Sequence, residues 1–528
     1  MAEGPMAELS QILGRPTDRS VTLSVRSSTP IEALVEFGTA SGRYISVTPP
    51  GASAAGEAVE IEIGGLAPDT KYVYRLRTRS PKAPSFVAGP ECTFRTQRAP
   101  GAGFTFALQG DSHPEREGKM FSPNLYAQTL RNVAADGPDF YLTMGDDFSI
   151  DPLIARGELS KANVEAIYAH QRGYLGIVGC SSALFLVNGN HEQAAGFLLD
   201  GTATSAAVLA GNARIANFPL PAPDAFYRGD AEKIEHVGLP RDYYAWTWGD
   251  ALFIVLDPYW HCSVQVDADV GGKGGKGGKG GKKGSDGEPG MGGMGGEGGG
   301  MGGMGGDGVE PAPGGEPGMG AEPAMGGEPA MDGGGGKGGK GGGKGGRDLW
   351  DVGIGDVQYH WLRDTLEASR ARYVFVFAHH VLGTGRGGVE RAGLFEWGGR
   401  DPRGVATFAQ RRPTWELPIH QLMVKHHVSI FFQGHDHVYA HQELDGLVYQ
   451  EAPNPADDTY TAFNREAYQT GDVRPNSGHL RVTVGPESAR VDYVRGVLPG
   501  DEARAGAKNG DVTFSYTVPP RPVGTTPK

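Results

Sequence analysis

Aspartate, asparagine and histidine recur at five places in this chain, each time just after an apolar run. The segments are Asp111-Ser112-His113, Gly145-Asp146-Asp147, Gly189-Asn190-His191-Glu192, Ala378-His379-His380 and Gly434-His435-Asp436-His437. Carboxylate, amide oxygen and imidazole nitrogen are the donors that hold divalent cations, so the chemistry on offer is metal chemistry. The apolar runs before them are FTFALQ, FYLTM, ALFLVN, YVFVFA and VSIFFQ, each of which reads as a buried strand. A strand that stops and then presents Asp, Asn or His places those groups at the carboxyl end of a sheet, where open α/β folds put their ligand sites. A single such segment reads as a cap or a turn. Five in one chain point to one site.

In this order, DxH, GDxx, GNHE, H and GHxH, the segments resemble the motifs of calcineurin-like metallophosphoesterases, over residues 100–495. Together with the domain that precedes them, they are most similar to purple acid phosphatases and the phosphodiesterase/alkaline phosphatase D group. The resemblance implies an α/β fold, a two-sheet α/β/β/α sandwich preceded by an all-β domain. It implies a dinuclear hydrolase of phosphate esters, mono- or diesters, that attacks with a hydroxide bridging the metals. Asp111, His113 and His437 would bind one metal, Asn190, His379 and His435 the other, and Asp146 would bridge. The mixed oxygen and nitrogen set suits two divalent or mixed-valence ions, Zn, Mn, Fe or Co, whereas an all-carboxylate set would favour Mg²⁺ or Ca²⁺.

The same resemblance makes His191 the acid that is not a ligand, with Glu192 either orienting it or capping the next segment. His380 then faces the cleft or supports a ligand. Purple acid phosphatases carry an iron-binding Tyr three residues after the bridging Asp. Ser149 stands there in this chain, so a colourless centre is expected. In the Gly- and Arg-rich stretch 386–412, Arg386, Arg391 or Arg400 is placed to grip a phosphate oxygen and Trp397 to stack on an aromatic leaving group. A competing reading is a cell-surface binding or adhesion protein with a metal-stabilised scaffold. The intact ligand set argues against it.

The rest of the chain must position these groups. Residues 10–98 alternate apolar and polar side chains in short runs separated by turn residues, the pattern of a β-sandwich. Leu66-Ala67-Pro68-Asp69-Thr70-Lys71-Tyr72 resembles the tyrosine corner of fibronectin type III domains. Residues 99–497 alternate strands with amphipathic helices and form the expected catalytic domain. Within it, residues 269–347 are so rich in Gly, Lys and Met that they have nothing to bury, and they read as a disordered insertion. On its far side Val357, Trp361 and Leu362 are expected on the buried face of a helix. Residues 498–528 read as a tail whose one strand-like run, DVTFSYTV, has no evident place.

A net charge of −13 disfavours nucleic acid, and the family resemblance implies a small phosphorylated substrate as partner. Cys92, Cys180 and Cys262 are odd in number and far apart, so no disulfide framework is indicated. The first residues carry neither a basic start nor an apolar run, and no stretch is long enough to span a membrane. The family resemblance nonetheless implies a secreted or periplasmic protein. Nothing in the sequence sets the oligomeric state.

Overall fold

The computed structural model describes residues 9–264, 348–381 and 385–522, so the Gly/Lys/Met-rich insertion lies outside the described residues. The first eight strands are β1 (Leu9–Gly14), β2 (Val21–Ser27), β3 (Ile31–Gly38), β4 (Ser46–Val47), β5 (Gly51–Ser53), β6 (Ala58–Ile63), β7 (Lys71–Arg79) and β8 (Val87–Arg95). They make two antiparallel sheets, ordered β1-β2-β6 and β4-β3-β7-β8, with β5 beside β3. The period of two explains the packing. Along β3, Ala33, Val35 and Phe37 point inward. Glu32 and Glu36 point outward to Arg79, Arg75 and Arg77 on β7. The Tyr72 hydroxyl accepts the Ala67 amide at 2.9 Å, tying the turn to the strand that follows it.

Fourteen further strands follow: β9 (Phe104–Gln109), β10 (Phe140–Thr143), β11 (Ala183–Leu186), β12 (Arg228–Gly229), β13 (Tyr244–Trp248), β14 (Ala251–Val255), β15 (Tyr373–Phe377), β16 (Ile430–Gln433), β17 (Tyr439–Leu444), β18 (Leu447–Glu451), β19 (Asp472–Arg474), β20 (Gly478–Val484), β21 (Ala489–Arg495) and β22 (Val512–Val518). One sheet runs β11-β10-β9-β20-β21-β22 and the other β12-β13-β14-β15-β16-β18-β17-β19. Strands β9, β10 and β11 are mutually parallel, as are β14, β15, β16 and β18. Apart from Thr105 and the polar residues at some of their carboxyl ends, these short strands are apolar throughout because both of their faces are covered.

The two sheets meet through phenylalanines. Phe106 lies 5.2 Å from Phe253 and 5.4 Å from Phe375, ring centre to ring centre. Each such fully buried ring contributes roughly 1.5–3 kcal/mol by leaving water. The outer face of the first sheet is covered by helices α1 (Pro123–Asp136), α3 (Lys161–Gly179) and α4 (Ala206–Asn217), with the short α2 (Asp151–Arg156) between the first two in sequence. The outer face of the second is covered by α5 (Gly355–Ala368) and a helix at Ile419–Lys425. On α5 the buried face is Gln358, Tyr359, Leu362, Thr365 and Leu366. Trp361 is partly buried against the core. Val357, expected on that face, is 58% exposed. It stands one residue before Gln358, a rotation of about 100° around the helix, which turns it out of the stripe. The run left without a place in the sequence forms β22, an edge strand antiparallel to β21. No helix among the described residues is long and apolar enough to cross a membrane.

Candidate metal centre

The five motifs follow β9, β10, β11, β15 and β16, so all stand at the carboxyl ends of parallel strands from two sheets that face each other. The turns are tight enough to force unusual backbone. His113, Asp146, His435 and His437 all have φ between 50° and 83°, a region that side chains other than glycine seldom enter. A Cβ on Gly434 would lie 2.7 Å from Asp111 Oδ1, so that turn needs glycine for space. Gly145 needs it for conformation, at φ 101°.

These turns bring the motif side chains into three overlapping groups: Asp111, Asp146, His379 and His435; Asp111, His113 and His437; and His113, Asp146 and His191. Asp146 Oδ2 is 3.2 Å from His379 Nε2 and 3.6 Å from His113 Nε2. Asp111 Oδ2 is 3.1 Å from His437 Nε2. Asn190 Oδ1 is 2.9 Å from His379 Nε2 and 3.2 Å from His435 Nδ1. The ring of His379 donates its Nδ1–H to the Met144 carbonyl at 2.7 Å, which turns the Nε2 lone pair toward Asn190 and Asp146. Glu115 does the same for His113, at 2.7 Å from Nδ1.

Acceptors aimed at one point repel unless a proton or a cation sits among them. Asp111 Oδ2 and His113 Nε2 are buried without a hydrogen-bond partner, a situation that costs about 1–3 kcal/mol per group when left alone. The titration behaviour follows from the same crowding. Burial opposes a charge on His379, but Asp146 and Asp111 outweigh it and raise its pKa well above the ordinary value. Burial also opposes charge on Asp146, and His379 and His191 overcome it and hold the carboxyl well below its usual range. His113 and His435 are pushed well down, chiefly by burial and then by neighbouring cations. The residues present therefore fit cations: oxygen and imidazole donors, buried and convergent.

His191 stands at the rim. Its Nδ1 is 3.1 Å from Asp151 Oδ2, its Nε2 is 4.0 Å from Asp146 Oδ2, and its side chain keeps 16% exposure. Burial disfavours its charge, yet Asp146 and Asp151 carry its pKa up to about 10. Glu192 does not touch it. Its carboxylate accepts the amides of Asp146, Asp147, Phe148 and Gly189, at 2.7 to 3.1 Å, and so fixes the second and third turns together. Asp147 is buried and takes the Ser112 hydroxyl and Gln109 amide. Asp436 takes the Gly387 amide and the Tyr468 hydroxyl, each at 2.7 Å.

The residues expected to meet substrate divide. His380 is fully buried, with Nδ1 3.2 Å from the Tyr259 hydroxyl and its ring 4.8 Å from that of His435, so it backs a motif residue. Arg386 donates to the His435 carbonyl at 2.9 Å and pairs with Asp436 at 3.3 Å, with 35% of its side chain exposed. Trp397 is corrected outright. It is fully buried, packs on Phe431 and donates to the Tyr449 hydroxyl, leaving no face for a leaving group. Arg400 is exposed and closes its own loop onto the Gly404 carbonyl, with no hydrogen bond or ion pair to the cluster among the described residues. Glu115, Asp151 and Arg116 also stand at the site although no motif marks them, and Arg116 Nη2 is 3.2 Å from His191 Nε2. Glu115 was open to detection: a carboxylate two residues after a candidate ligand histidine is a common partner for its second nitrogen. A separate cavity of about 490 Å³, lined in part by Arg228, Trp246, Asp250 and Arg372, contains none of the motif residues.

No protein-family model matches the chain, and no curated protein does. Among solved structures it is similar to PhoD, with a TM-score of 0.57 and 13% identity, over 99% of this chain and 94% of that one. At that level the two share a fold. GAP50, described as the anchor in the inner membrane complex of Plasmodium, aligns over 80% of this chain at a TM-score of only 0.35 and 9% identity.

Proposed function

We propose that this chain is a dinuclear metal-dependent hydrolase of phosphate esters, a phosphomonoesterase or phosphodiesterase. The observation that carries the reading is the position of Asp146 Oδ2, shared between His379 Nε2 at 3.2 Å and His113 Nε2 at 3.6 Å. One carboxylate at the seam of two donor groups is what a bridged pair of cations requires. Asp111, His113 and His437 would hold one ion and Asn190, His379 and His435 the other. When bound, the two ions, Zn, Mn, Fe or Co, supply charge to neutralise phosphate and to acidify the attacking water.

The chain's own groups do the rest. Asp151 orients the His191 ring through Nδ1, and His191 gives a proton to the leaving oxygen. Glu192 holds the Asp146 and Asn190 turns in register. Glu115 keeps the His113 lone pair inward. The buried phenylalanine layer beneath keeps these turns rigid, so little reorganisation is needed when charge develops.

The layering of helices outside two facing sheets, and the PhoD likeness, support the α/β/β/α metallophosphoesterase arrangement and the relationship to the phosphodiesterase/alkaline phosphatase D group. The Tyr72 bond supports a fibronectin III-like reading of residues 10–98. The pairing of β22 supports counting the described part of the 498–528 tail, as far as residue 522, with the catalytic body at 99–497. Ser149, buried 3.5 Å from His113 Nδ1, supports a centre without tyrosinate colour. Secretion or periplasmic location belongs to the same family reading. The test is hydrolysis of p-nitrophenyl phosphate and bis-p-nitrophenyl phosphate after loading with each candidate metal. Turnover of at least one ester is expected. Bound metal with turnover of neither would favour the scaffold reading.

A further inference from the structure

Two of the three cysteines meet where the N-terminal sandwich packs on the body. Cys92 lies on β8, directly across the ladder from Tyr74. Cys180 caps the carboxyl end of α3. The Tyr74 hydroxyl donates to the Cys180 carbonyl at 2.7 Å, and the Thr93 amide reaches the Ser181 hydroxyl at 3.4 Å. These contacts set Cys92 and Cys180 side by side: one is made by the Cys180 carbonyl with the cross-strand neighbour of Cys92, the other by the residues that follow each cysteine. The Gln11 amide also reaches Cys92 Sγ, at 3.4 Å. The surroundings are fixed. Arg172 of α3, fully buried, donates to Ser10 and Ser24 of the sandwich. Cys92 is buried and Cys180 is partly exposed, so one of the pair is open to a reagent.

The structure assigns Cys92 and Cys180 as a redox modification site: a disulfide that covalently joins the sandwich to the body, made by exchange with an external disulfide. Cys180 is the sulfur suited to attack. It is the partly exposed partner while Cys92 is buried, and its neighbour Cys92 holds its thiol below the usual cysteine range. The Cys180 thiolate attacks one sulfur of the reagent, forming a mixed disulfide and expelling one thiolate. Cys92 then loses its proton, attacks Cys180 Sγ and expels the second thiolate. One external S–S bond and two protein S–H bonds become one internal S–S bond and two external thiols. The cysteines are oxidised and the reagent is reduced. The bridge closes a long loop of chain, which favours the folded state. Cys262 sits apart, buried, with its thiol on the Pro258 carbonyl, and serves as an internal control. The assignment does not depend on the phosphoesterase reading.

The experiment treats the native full-length chain with oxidised glutathione, quenches with acid, and titrates thiols in denaturant. Titratable thiols should fall from three to one. Intact mass should drop by about 2 Da. Peptide mapping should join the 92 and 180 peptides, and the Tm should rise by about 5 °C, reversed by dithiothreitol. Cys180→Ser, on the less buried partner, should keep both remaining thiols. Cys92→Ala should instead stop at a glutathione adduct on Cys180. Three persistent thiols, a lasting glutathione adduct on wild-type Cys180, a bridge involving Cys262 or a second chain, or a Tm lowered by the bridge would each overturn the assignment.

Discussion

The N-terminal sandwich and the motif end of the body solve opposite problems with the same residue types. In the sandwich, charged side chains point outward and find partners: Glu36 takes Arg75 and Arg77, each at 2.7 Å, and Glu32 takes Arg79. At the motif end, carboxylates and imidazoles point inward, are almost wholly buried, and several lack hydrogen-bond partners. Four of them also sit on left-handed backbone. The sandwich is a region optimised for its own stability. The motif end carries backbone strain and buried polar atoms without hydrogen bonds that its own fold does not relieve, and such departures from local rules mark a site. The flanking architecture, above all the Phe106 layer, supplies the stability that lets those turns persist.

The contrast can be broken at several points, the largest effect first. His191→Ala should slow turnover by about 10²-fold or more while metal content stays unchanged, read by steady-state kinetics beside elemental analysis. Loss of metal instead would make His191 a ligand, as its place in the third donor group allows. Trp397→Ala should cost about 3–5 kcal/mol in urea unfolding, the usual result of emptying a buried indole site, and leave KM unchanged. A raised KM with intact stability would restore the stacking role. Tyr72→Phe should cost about 1 kcal/mol and leave turnover alone, since it removes one local hydrogen bond in the sandwich.

The smallest effect is a pH dependence in the body, away from the motifs. Burial depresses the His479 pKa below 6.5, although its Nε2 bonds Asp136 at 2.9 Å. The unfolded chain therefore binds the extra proton first. Stability should be full above 6.5 and decline as pH falls below it toward the folded value, and His479→Gln should flatten that slope in urea midpoints measured across the range. A wild-type slope of the opposite sign would contradict it.

Much of this was legible in the sequence, for physical reasons. A strand buried on both faces must be a continuous apolar run, and a ligand turn at its end must stop that run with Gly or a polar group. FTFALQ before Asp111 and VSIFFQ before Gly434 obey both rules, and β9 and β16 occupy them. The supports were less visible because they act across long sequence separations. Asp151 reaches His191 from α2, and Glu451 reaches the Asp436 amide from β18 at 2.9 Å, with no periodic signal announcing either. Glu192 looked equally suited to orienting His191 or capping the next segment, and its carboxylate instead takes four amides of the second and third turns. Trp397 misled because a Gly- and Arg-rich stretch reads as surface, while a short helix at Phe395–Gly398 carries the indole into the core.

The central claim is that two cations share Asp146, and the most direct measurement is elemental analysis of the purified chain beside Asn190→Ala. The account predicts two equivalents of transition metal per chain in the wild type and about one in the variant, with turnover lost. A wild-type chain that binds no metal at saturating supply, or a variant that keeps both equivalents, would contradict it.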